Sequence, residues 1–124
     1  MDQTTYKEYI LDLFRNPLNK GTLAAFDLSH RDFNTSCGDD VTIYIRFENG
    51  KVVAIAHEGV GCAISQAATS LITEHIKEKT VEEILSITAD EMVELLGVSV
   101  SHTRRKCALL GFEIIRKAIQ KNAL

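Results

Sequence analysis

The most regular alternation of hydrophobic and polar residues in the chain runs from Val41 to Glu48. Large apolar side chains occupy every second position, which is the period of a strand with one buried face. Asn49-Gly50 follows directly, and both residues tolerate the positive φ angles of a two-residue hairpin turn. The pattern predicts a hairpin whose second strand covers residues 51–57, with His57 at its end on the face away from the core. The short loop sets the pairing as Phe47 opposite Val52, Ile45 opposite Ala54 and Ile43 opposite Ala56.

Helical periodicity predominates elsewhere in the chain. Apolar residues three and four apart predict an N-terminal helix that ends before Asn16-Pro17, because the residue before a proline disfavours helical geometry. Its apolar stripe is interpreted as packing surface and consists of Tyr6, Tyr9, Ile10 and Leu13. The same spacing predicts four more helices, which begin after Gly61, after Thr80, at the capping box Thr88-Ala89-Asp90-Glu91 and near Thr103.

A further strand is predicted upstream of the hairpin, at Gly21–Leu28. Strands therefore precede most of the helices, and this order is typical of the α+β class. We expect one domain over residues 1–124, in which a small antiparallel sheet carries the helices on one face.

Composition narrows the classes of function. The chain has 45% hydrophobic and 25% charged residues, as soluble globular proteins do, and its formal net charge of -3 argues against a nucleic-acid partner. No signal-peptide pattern opens the sequence, and no apolar run approaches the roughly 18 residues of a membrane span. We expect a soluble, cytoplasmic protein that binds neither nucleic acid nor membrane.

The candidate chemistry lies in three cysteines, Cys37, Cys62 and Cys107. An odd number of cysteines in a reducing compartment suggests metal ligands or nucleophiles, although buried apolar thiols are the simpler alternative. Cys37 lies in a polar loop, which is a poor setting for a core thiol. Cys62 and Cys107 lie at predicted helix starts, where the helix dipole favours an anion, and Arg104-Arg105-Lys106 precedes Cys107. We therefore predict lowered thiol pKa values at Cys62 and Cys107.

The hairpin should bring these residues together. The start of one strand, near Asp40, and the end of its partner, near Gly59, meet at the same end of an antiparallel pair. Cys37 and Cys62 should emerge there, with Asp39 turned toward the same point. Three thiolates and a carboxylate suit tetrahedral Zn²⁺ or an iron–sulfur cluster, and glycines at 38, 59 and 61 would let the backbone pass close to it.

Three motifs in this order resemble the U-type iron–sulfur scaffold family, which includes IscU, the N-terminal domain of NifU, and SufU. They are Cys37-Gly38-Asp39, the segment Gly59–Ser65 and Lys106-Cys107-Ala108, and the match begins upstream at Asn16-Pro17-Leu18-Asn19-Lys20-Gly21. The resemblance implies three antiparallel strands and a SufE/IscU-like fold. It also implies a PLP-dependent cysteine desulfurase as sulfur donor and apo iron–sulfur proteins as acceptors. Carried over by motif, the metal or cluster ligands are Cys37, Asp39, Cys62 and Cys107, with Cys37 or Cys107 as sulfur acceptor.

Two departures leave the activity open between two branches of this family. Lys106 stands where IscU-type members have histidine, and residues 100–104 replace their chaperone-docking segment. The favoured interpretation is a non-enzymatic scaffold that assembles a [2Fe–2S] cluster for apo-proteins, in which a shared cluster could join a homodimer. The alternative is a zinc-dependent sulfurtransferase of the SufU type, and an inert structural zinc module is the third.

The basic residues around Cys107 also have two interpretations. Arg104 and Arg105 are either solvated charges or stabilise the Cys107 thiolate, with Lys106 in a supporting position. His102 could supply a nitrogen in place of the missing histidine, although an exposed loop position is the simpler interpretation.

Overall fold

The computed structural model describes residues 3–122, with side chains from residue 8 onward. An N-terminal helix precedes three strands, and four helices follow them. In chain order the elements are α1 (Gln3–Arg15), β1 (Leu28–Asn34), β2 (Asp39–Glu48), β3 (Lys51–Val60), α2 (Ala63–His75), α3 (Val81–Leu85), α4 (Ala89–Leu96) and α5 (His102–Lys121). The strands form one antiparallel sheet in the order β1-β2-β3, so the predicted α+β class is confirmed.

The prediction of a strand at Gly21–Leu28 is wrong. The first strand begins only at Leu28 and continues to Asn34, and all its residues are half-buried or exposed. Because β1 lies at the edge of the sheet, its sequence LSHRDFN lacks the strong apolar alternation that marks β2. A polar edge strand is therefore easily missed in the hydrophobic pattern.

The predicted hairpin register holds only next to the turn. Phe47 pairs with Val52, but Arg46 pairs with Ala54, so that Val53 falls between two paired residues as a β-bulge. Beyond this point Ile45 pairs with Ile55 and Ile43 with His57. One extra residue moves every later side chain of a strand to the opposite face.

The bulge explains why His57 is fully buried, contrary to the exposed position predicted for it. Its Nε2 lies 2.8 Å from the carbonyl oxygen of Leu18. Its backbone N–H donates to the Asn19 oxygen at 2.9 Å and its carbonyl accepts from the Gly21 N–H at 2.8 Å. Residues 18–21 therefore cover the outer edge of β3, and burial lowers the pKa of the His57 imidazole.

The helices pack on one face of the sheet. α5 lies against β1 and β2, α2 lies against β3, and α1 packs on α2. In α1, Ile10 and Leu13 are buried and Tyr9 is exposed, while the Tyr6 side chain lies outside the described residues. The fully buried apolar side chains include Val41, Ile43, Ile45, Ile72, Ile114 and Ile115.

A close approach of α2 and α5 sets the depth of Cys107. A Cβ atom at Gly111 would lie 2.7 Å from Thr69 Oγ1, so only glycine permits this contact. Gly111 is four residues, or about one helical turn, after Cys107. The contact therefore holds the first turns of α5 close to α2, and Cys107 is fully buried.

Candidate metal centre

The candidate ligands gather at one end of the sheet, where β2 begins and β3 ends. Cys37 lies in the turn between β1 and β2, in which Gly38 has a positive φ of 68°. Asp39 is the first residue of β2, and Cys62 is the N-cap of α2, two residues after the end of β3. Cys107 enters from the second turn of α5. Four elements therefore contribute to one place.

Three of the four predicted ligands form a close set. The sulfurs of Cys37 and Cys107 and a carboxylate oxygen of Asp39 all lie within 4.8 Å of one another. Cys62 borders this set, and its thiol is near enough to Cys107 to raise the pKa of that group. Cys62 Sγ also accepts a hydrogen bond from the Ser65 N–H at 3.4 Å.

Asp39 is the most constrained member of the site, with 2% of its surface exposed. Its Oδ1 accepts from the backbone N–H of Cys62 at 2.9 Å and from Ser65 Oγ at 3.0 Å. Its Oδ2 is buried and has no hydrogen-bond partner among the residues that the structure describes. Burying an unpaired carboxylate oxygen is unfavourable, and a cation would satisfy it, so this donor set fits a metal ion or an iron–sulfur cluster.

Two glycines make room for this carboxylate. A Cβ atom at Gly61 would lie 2.4 Å from Ser65 Oγ and 2.8 Å from Asp39 Oδ1. At Gly59, φ is 123° and a Cβ atom would lie 1.9 Å from the backbone oxygen of Asp40. The end of β3 can therefore pass close to the start of β2 only with glycine at both positions.

The prediction of a lowered pKa at Cys107 is wrong. Burial raises the pKa of this thiol, and contacts with Cys37 and Cys62 and the charge of Asp39 raise it further. The helix dipole stabilises a thiolate only near the start of a helix. Burial and the neighbouring acidic groups destabilise the Cys107 thiolate by more than the dipole stabilises it.

The cation beside the thiols is Arg104. The charge of Cys62 and a side-chain contact with Cys107 raise the pKa of Arg104. Arg105 instead pairs with Asp90 at 3.0 Å. Arg104 precedes Cys107 by three residues, a spacing that places two side chains on one face of a helix.

Lys106 and His102 lie outside the close set. Both are exposed, and both line a surface groove of about 430 Å³ between β1 and α5. A separate cavity of about 430 Å³ opens beside Cys62 and Arg104, between the start of α2 and the segment before α5. This second cavity gives the Cys62 side of the site an approach from the surface.

The chain thus combines an α+β fold with a cluster of candidate metal ligands at one end of its sheet. The chain belongs to the NifU-like N terminal domain family, whose model matches residues 5–123. None of the helices in the described part of the chain combines the length and apolar character of a membrane span.

Relatives come from both branches of this family. The chain is 36% identical over 114 residues to the iron–sulfur cluster assembly scaffold protein IscU 1 of Archaeoglobus fulgidus. This alignment covers 92% of this chain and 74% of that protein. It is 31% identical over 138 residues to the zinc-dependent sulfurtransferase SufU of Bacillus subtilis, over 95% of this chain and 91% of that protein.

A solved structure supports the same fold. A candidate iron–sulfur cluster assembly scaffold protein for the SUF system from Fervidobacterium islandicum AW-1 superposes with a TM-score of 0.78 at 29% identity. The superposition covers 96% of this chain and 99% of that chain.

Proposed function

We propose that this chain is an iron–sulfur cluster assembly scaffold. It receives sulfur from a PLP-dependent cysteine desulfurase, assembles a [2Fe–2S] cluster and passes it to apo-proteins. The observation that carries the proposal is the buried Asp39 carboxylate with an unpaired Oδ2, in a close set with the Cys37 and Cys107 sulfurs. Thiolates are the usual ligands of iron–sulfur clusters, and one oxygen ligand makes the set asymmetric.

The different exposure of the cysteines suggests a different role for each. Cys37 is half-buried on a turn, whereas Cys107 is fully buried, so Cys37 is the better first acceptor of sulfur. Its thiolate would attack the outer sulfur of the desulfurase persulfide, forming a new S–S bond. The old S–S bond breaks and its electron pair leaves with the desulfurase cysteine as a thiolate. Cys62 and Cys107 would remain as ligands for the iron, and an external electron donor would reduce each transferred persulfide sulfur by two electrons to the sulfide of the cluster.

Arg104 supports this chemistry by its charge. Three thiolates and a carboxylate bring up to four negative charges to one place, and ligands must lose their protons when a metal binds. The Arg104 guanidinium, beside Cys62 and Cys107, lowers the cost of that deprotonation.

A zinc-dependent sulfurtransferase is the second candidate, and the position of Lys106 favours it. The residue at the place of the IscU histidine is an exposed lysine on the groove side of α5, so the ligands that the protein would offer zinc are three sulfurs and one oxygen. These four ligands would hold zinc in a tetrahedral site, and one cysteine would have to leave the metal to accept sulfur. The relative from Bacillus subtilis carries that activity in its name.

Reconstitution under anaerobic conditions separates the two candidates. Wild-type protein is mixed with ferrous iron, cysteine, a desulfurase and a thiol reductant that converts persulfide sulfur to sulfide, beside Asp39→Ala and the matched control Asp40→Ala, whose exposed carboxylate pairs with Arg31. A scaffold develops thiolate-to-iron absorption, with Asp40→Ala behaving as wild type and Asp39→Ala differing in cluster yield or lifetime.

Absence of that absorption in wild type and Asp39→Ala alike would contradict the scaffold. Stoichiometric zinc together with increased desulfurase turnover would then establish the sulfurtransferase. Zinc binding without any effect on desulfurase turnover would instead support the inert structural zinc module.

A further inference from the structure

The segment Leu18–Gly21 has no role in the site described so far, although it belongs to one of the motifs that mark this sequence. The Leu18 N–H donates to Ser70 Oγ at 3.1 Å, which ties the segment to α2. Two backbone hydrogen bonds tie it to His57 of β3. The segment is therefore held between β3 and α2, and the site lies where these two elements meet.

Lys20 reaches from this segment to the turn that carries Cys62. Its Nζ donates to the carbonyl oxygen of Gly59 at 2.9 Å and to Gln66 Oε1 at 2.9 Å. Gly59 is three residues before Cys62 and Gln66 is four residues after it. One ammonium group therefore bridges both ends of the turn.

The Gly59 contact continues a strand edge. Gly59 and His57 are two residues apart in β3, so their carbonyl groups point to the same side of the strand. The Gly21 N–H donates a hydrogen bond to the His57 carbonyl, and the Lys20 ammonium donates one to the Gly59 carbonyl. Lys20 Nζ therefore binds the next carbonyl group on this edge of β3, two residues beyond the last one that accepts a backbone N–H from the segment Leu18–Gly21.

The Gln66 contact fixes the direction of a buried amide. Gln66 is 4% exposed, and its backbone N–H donates to the Cys62 carbonyl at 3.0 Å. With Oε1 held by Lys20, Nε2 faces Gly61, where an added Cβ atom would lie 3.1 Å from it. Nε2 has no partner among the residues described, so this orientation needs an external cause, and Lys20 supplies it.

We propose that Lys20 is a positioning residue for the metal site, and that it acts by clamping Gly59 to Gln66. The clamp keeps the turn in the shape that presents the Cys62 N–H to Asp39 Oδ1 and the Cys62 thiol beside Cys107. Hydrogen bonds from a charged donor are stronger than those between neutral groups, which suits a clamp at a partly exposed edge. This inference rests on the proposed metal-binding function.

The test compares Lys20→Met, Lys20→Arg and the control Asn19→Gly. Asn19 Nδ2 donates to Thr73 Oγ1 at 3.1 Å and to Glu74 Oε1 at 3.3 Å, so the control loses two hydrogen bonds of the same segment and leaves the clamp intact. Glycine also accepts the positive φ of 63° at that position. Each variant is measured for Zn²⁺ affinity by competition with a chelator and, free of metal, for hydrogen exchange of the Cys62 amide.

We expect Lys20→Met to weaken Zn²⁺ binding at least about tenfold, as loss of residues that orient metal ligands does, and to speed exchange of the Cys62 amide. Lys20→Arg should restore most of both properties, because it keeps charged N–H donors. Asn19→Gly should lower the unfolding temperature and leave both properties close to wild type.

Wild-type affinity and wild-type Cys62 exchange in Lys20→Met would overturn the proposal. If Lys20→Met does not fold, Gln66→Met breaks the clamp from the other side and must give the same two changes. If the wild-type protein itself binds no Zn²⁺, the proposed metal site fails, while exchange of the Cys62 amide still decides whether the clamp exists.

Discussion

The two ends of the β2–β3 hairpin are held in shape in different ways. At the turn end, Asn49 and Gly50 adopt positive φ angles of 54° and 78° in open, exposed surroundings. At the site end, a Cβ atom at Gly59 would meet the backbone of β2, and a Cβ atom at Gly61 would meet buried polar side chains of β2 and α2. The turn is thus a local structure specified by two adjacent residues, whereas the site end depends on contacts between segments far apart in sequence. Substitutions at the two ends should therefore differ in cost.

The largest difference is expected between Gly59→Ala and Gly50→Ala. At Gly50 only the positive φ opposes alanine, which costs about 1–2 kcal/mol. At Gly59 the same kind of backbone strain is combined with a Cβ atom 1.9 Å from the Asp40 carbonyl oxygen. Urea unfolding should show a clearly greater loss of stability for Gly59→Ala. Equal losses at the two positions would mean that the site end is as tolerant as the turn.

Ser65→Ala tests whether the hydrogen bonds of Asp39 hold the site end. Removal of Ser65 Oγ leaves Asp39 Oδ1 with the Cys62 N–H as its remaining donor in the described structure. We expect a loss of about 1–3 kcal/mol in unfolding free energy, because an acceptor becomes under-satisfied in a buried place. Ser86→Ala is the control, since Ser86 Oγ donates to the Glu83 carbonyl at an exposed position. A loss at Ser65 no larger than at Ser86 would contradict the role assigned to Asp39.

His57 lies between the two ends and should make stability depend on pH. Burial lowers its pKa in the folded protein, so the unfolded chain takes up the proton first as the pH falls. Stability is therefore complete above the ordinary pKa of about 6.5 and declines below it, by at most about 1.4 kcal/mol per pH unit. His57→Gln should flatten this slope in unfolding experiments between pH 7 and 5, whereas His30→Gln, at a less buried position, should change it less. If His57→Gln kept the wild-type dependence of stability on pH, His57 would not be the source of that dependence.

The smallest effect is expected from the two arginines before Cys107. Arg104 lies beside the Cys62 and Cys107 thiols, and Arg105 pairs with Asp90. Because Arg104 is exposed, Arg104→Gln should weaken Zn²⁺ binding only about two- to fivefold, the range of an exposed charge pair. Arg105→Gln should bind as wild type in the same chelator competition. If Arg105→Gln weakened Zn²⁺ binding more than Arg104→Gln, Arg105 would be the residue that stabilises the thiolates.

The same contrast between local and distant contacts explains what the sequence could predict. The Asn49-Gly50 turn, the helices and the α+β class follow from signals within a few residues of one another. Hairpin topology predicts that Cys37, Asp39 and Cys62 meet at one end of the sheet. The structure brings Cys37 and Asp39 together with Cys107, which hairpin topology does not place, while Cys62 borders this set. The edge strand β1 was missed because none of its residues is fully buried and its sequence lacks the strong apolar alternation of β2.

Other features depend on contacts that no local pattern contains. The bulge at Val53 moved Ile55 and His57 to the core face, and alternation alone gives no sign of an inserted residue. The raised pKa of Cys107 results from burial among side chains of three other segments. Lys20 and Gln66 are 46 residues apart, and only the tertiary fold places the lysine against the turn of Cys62.

Analysis of iron, zinc and acid-labile sulfide in protein purified without oxygen tests the central claim most directly. We expect iron and sulfide in equal amounts, both reduced in Cys107→Ser and unchanged in the control Asp40→Ala. Stoichiometric zinc without sulfide, or no metal in wild-type protein, would contradict the claim that this end of the sheet holds an iron–sulfur cluster.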